Sequence, residues 1–265
     1  MAFLYETHLH TAEASKCAVS RGSDYIAGYK EMGYTGIIVT DHFFNGHCSI
    51  PRSLPWEEWV NGFCRGYENA KKEGERQGLD VFFGWEETFD TCDDYLVYGL
   101  DKEWLLKHPE VRTWTRGEQY RAVRDSGGCV VQAHPFRQRY YINRVVLSSG
   151  CVDAVEAANG GHDDFSNDAL AYRYAKKIGK PVTAGTDIHD AGAVYCGDVF
   201  GVYLEKRIDS IDDYVKMILN NSVSGIKTNE GRLDFHGNEV VKLPVEIRDE
   251  NDRITGRHWK EFIYD

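Results

Sequence analysis

No apolar run in this sequence approaches the roughly 18 to 20 residues needed to cross a bilayer, so no membrane-spanning helix is expected. The opening residues, MAFLYETHLH, lack the basic start and apolar stretch of a secretory signal. Positive charge is scarce: 31 Lys and Arg face 42 Asp and Glu, a formal net charge of −11. That balance argues against a protein that coats long nucleic acid or an anionic membrane through bulk electrostatics. The seven cysteines are an odd number and form no CxxC pair. They read as reduced thiols of a cytoplasmic protein, mostly core fillers, and not as a disulfide framework or a zinc ribbon. Internal repeats and low-complexity linkers are also missing, and nothing in the sequence fixes an oligomeric state.

What is present is a rhythm. With 265 residues, 42% of them hydrophobic, the chain has enough apolar surface for one large core. GIIVTDH, LDVFFGWEE, YLVYGL, GGCVVQAHP, CVDAVEAAN, KPVTAGTDIH and VFGVYLE read as strands. Helical patterns lie between them. Ser23 and Asp24 start one helix that Gly33 ends, Trp56 to Gln77 form another before Gly78, and Leu170, Tyr174 and Ile178 line the face of a third. This alternation predicts an α/β fold with a mainly parallel sheet. Residues 43–55 form a loop long enough to be functional. The tail from about Lys227 lacks helical period, so the expected division is a β/α domain over 1–225 and a small β-rich extension over 226–265.

The polar residues cluster where those strands end. His8 and His10 stand two apart, and in a strand residues i and i+2 share a face. Later strand ends carry Asp41 and His42, Glu86 and Glu87, His134, Glu156 and Asn159, and Asp187 and His189. In a β/α barrel these ends open on one mouth. Imidazoles and carboxylates are the groups that bind zinc, manganese or iron through nitrogen and oxygen.

The order HLH (8–10), TDH (40–42), GWE (84–86), AHPF (133–136) and GTDIH (185–189) resembles the polymerase and histidinol phosphatase (PHP) family over residues 1 to about 190. The resemblance implies a distorted seven-stranded β/α barrel holding two or three divalent metals and hydrolysing phosphate esters. Carried onto this chain, it implies that His8, His10, Glu86 and Asp187 hold the first metal. Glu86 would bridge to a second that His134 also binds, and His42 and His189 would hold the third. Asp94 stands where the family often has a histidine. Near the family's further ligand this chain reads TAEASKC, with Glu13 as the candidate. Glu87 would face away from the site.

Phosphoester hydrolysis needs a strong nucleophile and positive charge around phosphorus, and paired metals supply both. The expected reaction is in-line attack by a hydroxide held between two metals, with Asp187, Glu86 and His42 as the residues it depends on. Arg137 is the leading phosphate clamp, with Arg139 and Asn159 beside it. Asp41 is a candidate to orient His42. The expected substrate is a small phosphorylated metabolite or nucleotide. Two other readings stay open: an amidohydrolase-type enzyme cutting C–N bonds, whose superfamily also begins with HxH, and a non-catalytic metal-binding subunit.

Overall fold

The computed structural model describes residues 2–264. Each apolar run named above becomes a strand. In chain order they are β1 (Phe3–Leu9), β2 (Gly36–Val39), β3 (Asp80–Thr88), β4 (Asp94–Tyr98), β5 (Cys129–Gln132), β6 (Val145–Leu147), β7 (Ala154–Asn159), β8 (Val182–Gly185), β9 (Gly201–Leu204), β10 (Gly225–Lys227) and β11 (Val245–Ile247). The helices are α1 (Tyr25–Glu31), α2 (Trp56–Phe63), α3 (Arg65–Gln77), α4 (Lys102–Lys107), α5 (Arg116–Asp125), α6 (Ser166–Lys177) and α7 (Ile211–Leu219). The helical stretch 56–77 is therefore two helices that meet at Cys64, where ψ relaxes to −5°. Gly78 stops α3 at φ +78°, as a left-handed cap residue should.

The main sheet has nine strands, not the expected seven, in the order β10-β9-β1-β2-β3-β4-β5-β7-β8. It curls until its far edge meets β1. The Asp187 amide donates to the His8 carbonyl at 2.8 Å, and Leu9 bridges Ile188 in parallel. The result is a nearly closed α/β barrel, with two departures from a parallel one. β4 runs antiparallel between β3 and β5 because only residues 89–93 join it to β3, too few for a crossover helix. β9 lies antiparallel to β1 and β10, which widens the sheet beyond the repeating unit. β6 forms a separate parallel pair with β11, so among the described residues the tail's strand β11, like β10 where the tail begins, pairs with a strand of the body.

Aromatic packing fixes the loop that follows β2. Phe43 is fully buried with Trp59, Phe63 and Trp85, its ring centroid 5.1 Å from each of the first two. That anchor holds the start of segment 43–55 against α2, so His42 leaves β2 in a fixed direction. The tail is tied in by charge. Arg116, at the first turn of α5, donates to Asp93 at 2.5 and 2.8 Å and to Asp252 at 3.3 Å.

Burial raises the proton affinity of Asp93, but hydrogen bonds from Arg116 and its charge outweigh burial and hold this carboxyl below its ordinary value. A carboxyl with a lowered folded pKa stabilises the fold above its unfolded value of about 3.9, and the contribution fades as pH falls through the folded value. Asp93→Asn should therefore cost about 3 kcal/mol at neutral pH, the scale for breaking a buried pair. The gap to the wild type should close on acidification. Urea melts at pH 7 and pH 3 measure both; an unchanged gap at the two pH values would reject the assignment.

Candidate metal centre

Five strands deliver side chains to one buried point. β1 brings His8 and His10 with ring centroids 5.1 Å apart, as two strand residues on one face should be. β3 brings Glu86, and the residues just past β2, β5 and β8 bring His42, His134, Asp187 and His189. Glu86 sits at the middle. Its carboxylate lies 2.6 Å from His42 Nδ1, 3.1 Å from His134 Nε2, 3.3 Å from His8 Nε2 and 3.6 Å from His10 Nε2. Asp187 Oδ1 is 3.0 Å from His10 Nε2 and 3.5 Å from His8 Nε2.

These groups form overlapping donor sets whose ligating atoms lie within 4.8 Å of one another: His8, His10 and Asp187; Glu86, Asp94 and His134; His10, His42 and His189; and His8, His134 and Glu156. Four of the central atoms, His8 Nε2, His10 Nε2, His42 Nδ1 and Glu86 Oε2, are buried without a well-directed hydrogen bond. Buried polar atoms normally find a partner, so lone pairs aimed at a shared space fit divalent cations. The electrostatics agree. Burial works against protonation of His8, yet Glu156, Asp187 and Glu86 hold it well above its ordinary value. Burial opposes charge on Asp187, yet His8 and Arg137 keep it well below the usual carboxylate range. Asp94 moves the other way, raised by burial and by the neighbouring Glu86. Such a site favours added positive charge.

A ring of buried groups aims the ligands. Glu156 Oε1 takes the Nδ1 side of His8 at 2.9 Å, leaving Nε2 for the centre, while its Oε2 accepts from the His134 amide at 3.1 Å and from Asn159 at 2.9 Å. Asp41 accepts from Thr11 and from Ser15 Oγ at 2.6 Å, and Ser15 lies 3.3 Å from His10 Nδ1. Asp41 thus acts through Ser15 on His10, while Ser15 Oγ also accepts the His42 amide at 3.0 Å. Glu6 accepts from the His8 amide, the Thr186 amide and hydroxyl, and the Tyr29 hydroxyl, which locks β1 to the loop carrying Asp187. His134 at φ +29° and Asp187 at φ +55° hold left-handed backbone conformations, strain of the kind stored where a side chain must point one way.

Every metal-ligand candidate from the sequence reaches this centre except Glu13, whose carboxylate turns aside to accept from the Gly22 amide and from Asn69. Arg137 lies beside the centre, donating to Asn159 at 2.7 Å and Asp187 at 2.5 Å, with its buried Nε left without an acceptor. Arg139 sits further out and pairs with Asp163 and the Gly161 carbonyl. Glu87 faces away and is buried. Burial holds its carboxyl well above the ordinary value.

Three residues escape the sequence reading. Glu6 shares the strand face of His8 and His10, a period-two signal that was there to be read. Arg232, from the tail, donates to Asp168, Asn159 O and His162 O, pinning the loop after β7; only the tertiary structure brings it there. Cys17, placed among the core fillers, stands exposed at the rim. Burial raises the thiol, but hydrogen bonds with His189 and His42 prevail and bring it down to about 5.

Glu156→Gln should weaken divalent metal binding about 10- to 100-fold, the usual loss when the partner of a metal-bound histidine is altered. Calorimetric titration of zinc or manganese into the metal-free variant measures this, and unchanged affinity would remove Glu156 from the aiming role.

No family model and no curated protein matches the chain by sequence. Solved structures do match by fold. A two-domain protein from Bacteroides vulgatus, containing a predicted PHP-like metal-dependent phosphoesterase, aligns at TM-score 0.57 and 12% identity over 87% of this chain and 66% of that one. PsfC from Pseudomonas syringae aligns at TM-score 0.51 and 16% identity over 88% and 93%. Endonuclease Q, in complex with a 27-mer duplex bearing an abasic lesion, aligns at TM-score 0.54 and 11% identity over 86% and 58%. The chain thus spans about two thirds or less of the first and third of these. The Endonuclease Q complex corrects the expectation that long nucleic acid is disfavoured. Net charge describes a whole surface at long range, whereas a duplex is gripped by local contacts, and this fold carries a duplex there. At these identities the likeness is one of architecture: the chain has the fold of the PHP-like metal-dependent phosphoesterases.

Proposed function

We propose that the protein is a metal-dependent hydrolase of phosphoric ester bonds. The observation that carries this reading is the buried meeting of three carboxylates, Glu86, Asp94 and Asp187, with five imidazoles, His8, His10, His42, His134 and His189. His8, His10, Glu86 and Asp187 would hold one divalent ion, and Glu86, Asp94 and His134 a second. His42 and His189 would contribute to a third, with zinc, manganese and iron all compatible with the donor set. Bound there, such ions lower the pKa of a water and offset charge on phosphoryl oxygens.

The chain's own groups do the rest. Arg137 presents a part-buried guanidinium whose buried Nε donor has no acceptor, suited to a non-bridging phosphate oxygen. Asn159 fixes that guanidinium through its Oδ1, and is fixed in turn by Glu156 and by the Asp168–Arg232 pair. The mouth lies at the strand ends, flanked by segment 43–55 and by Arg139, so loops set the choice of ester. Phosphorylated metabolites, nucleotides and nucleic acids all carry the required group, and the fold shared with Endonuclease Q keeps nucleic acid within that range.

Asp187→Ala should cut kcat/KM about 1,000-fold or more, the cost of removing several kcal/mol of stabilisation at the reacting centre, while the fold persists. Arg137→Ala should raise KM for phosphate esters and lower kcat. Steady-state assays with 4-nitrophenyl phosphate and bis(4-nitrophenyl) phosphate, with manganese or zinc added, test both. Undiminished turnover in Asp187→Ala, or hydrolysis of cyclic amides with none of phosphate esters, would overturn the proposal.

A further inference from the structure

Beside the metal centre lies a cavity of about 480 Å³ that the chemistry described so far does not use. Its volume falls in the range of small-molecule sites. The lining includes Asn45, Thr88, Phe89, Arg112, Trp114 and Arg248. Two of these continue segments that carry candidate metal ligands. Thr88 stands two residues beyond Glu86 on β3, so it shares that residue's face roughly 7 Å further out, and it pairs across the sheet with Asp94. Asn45 follows His42 by three residues. The loop backbone closes against Thr88 at Gly46, where a β-carbon would lie 2.7 Å from Thr88 Oγ1 and 3.4 Å from the His42 β-carbon. The cavity begins where the mouth ends.

Unmet donors line this cavity. The Arg112 guanidinium lies over two rings, 5.0 Å from the centre of Trp56 and 5.5 Å from that of Phe44, and its Nε donates to the Pro109 carbonyl at 2.7 Å. Among the described residues no carboxylate pairs with it, and its terminal N–H groups have no acceptor. Arg248, brought in by the tail, keeps a buried Nε that has no acceptor either. Charge decides what those donors can receive. Arg116, Arg144 and Arg248 are taken up by Asp93, Asp252 and Glu246, and the exposed Asp90 stands 3.5 Å from Arg116. With Arg112 counted, four guanidiniums face four carboxylates, so no net positive charge is left for a second phosphate. A neutral group that offers acceptors meets no such obstacle. Phe89 and Trp114, both half-buried, add aromatic surface, with Trp114 edge-to-face against Trp104 at 6.0 Å. Flat rings stack on such side chains and are told apart by hydrogen bonds to their edges.

We propose that this cavity holds a neutral heteroaromatic ring with carbonyl or ring-nitrogen acceptors, a nucleobase, on the organic side of the ester cut at the metal centre. Trp114 supplies the stacking surface, and Arg112 donates to the acceptor edge of the ring. The offset of Thr88 from Glu86 leaves room for a sugar between that ring and the phosphorus. Among the esters open to the proposed hydrolase, the cavity therefore selects nucleotides over simple sugar or alkyl phosphates. The inference rests on the proposed function for the ester, but capture of the ring itself requires neither metal nor turnover.

The test uses the full chain in two arms. With manganese or zinc added, the wild type should cleave thymidine 5′-(4-nitrophenyl phosphate) with kcat/KM about 10-fold or more above methyl 4-nitrophenyl phosphate, the scale of one base–aromatic stack. Arg112→Ala and Trp114→Ala should each erase most of that preference and leave turnover of the methyl ester within about 2-fold, while Trp114→Phe should keep it. In the second arm, thymidine titrated into the metal-free chain should quench tryptophan fluorescence in the wild type and not in Trp114→Phe. A wild type without the preference, a preference intact in both alanine variants, or an equal loss on both esters overturns the assignment. Turnover of the methyl ester with neither preference nor quenching would sink the base site and spare the proposed function. Quenching that depends on Trp114, with no ester cut, would do the reverse.

Discussion

The structure is organised around one buried carboxylate. Glu86 lies within 3.6 Å of imidazole nitrogens from His8, His10, His42 and His134, on strands that meet only when the barrel curls. A charge removed from water is expensive unless it is paired and hydrogen-bonded, so the barrel can close only if its mouth supplies compensation. The supply here is redundant: imidazoles face carboxylates from every side, and Arg137 adds a fixed positive charge against Asp187. Burial pushes the acids toward neutrality while their neighbours push them toward charge. Glu86 and Asp187 end up charged, and Asp94 carries the opposing shift. A cluster balanced so closely responds strongly to added cations, which is what a metal centre requires.

Around that carboxylate, much of the buried polar chemistry serves direction. Glu6, Asp41, Glu156 and Asp168 are all almost completely buried, and each accepts hydrogen bonds from backbone amides or from side chains touching the ligands. None of them needs to reach an ion to matter. An imidazole presents one lone pair in one plane, and a rotation of a few tens of degrees takes it off target. The same logic explains Gly185: a β-carbon there would overlap His8 and crowd Glu156, so the strand next to β1 must be bare at that point. The tail participates too. Arg232 reaches across 64 residues of sequence to Asp168 and so steadies Asn159, which in turn steadies Arg137.

The charge argument shows where composition stops being informative. A net charge of −11 includes acids that are buried at the centre and that divalent ions held there would neutralise. Counting them as surface repulsion overstates the penalty for approaching a phosphate backbone. What matters at the mouth is the local balance of Arg137, Arg139 and any cations held there, and a whole-chain sum does not contain that.

The gathering of histidines and acids at one mouth was legible in the sequence because strand geometry is local. Period two puts His8 beside His10, and the apolar runs fix where strands end, so the histidines and acids that follow them must gather at one mouth. The α/β class follows from the same alternation. The direction of β4, the nine-strand count and the parallel pairing of β11 with β6 depended instead on connection length and on contacts between segments far apart in the chain. The turn after His10 is the clearest case: Glu13 turns aside to the Gly22 amide and Asn69, while Cys17 stands exposed. Both lie on one short turn after His10, and no local propensity distinguishes which of them faces the histidines. The path of that turn is set by the Lys16 amide donating to the His47 carbonyl and the Val19 amide donating to the His189 carbonyl, 31 and 170 residues away in sequence. Only the closed barrel brings those carbonyls within reach, so tertiary structure alone decided the course of that turn and where Glu13 points.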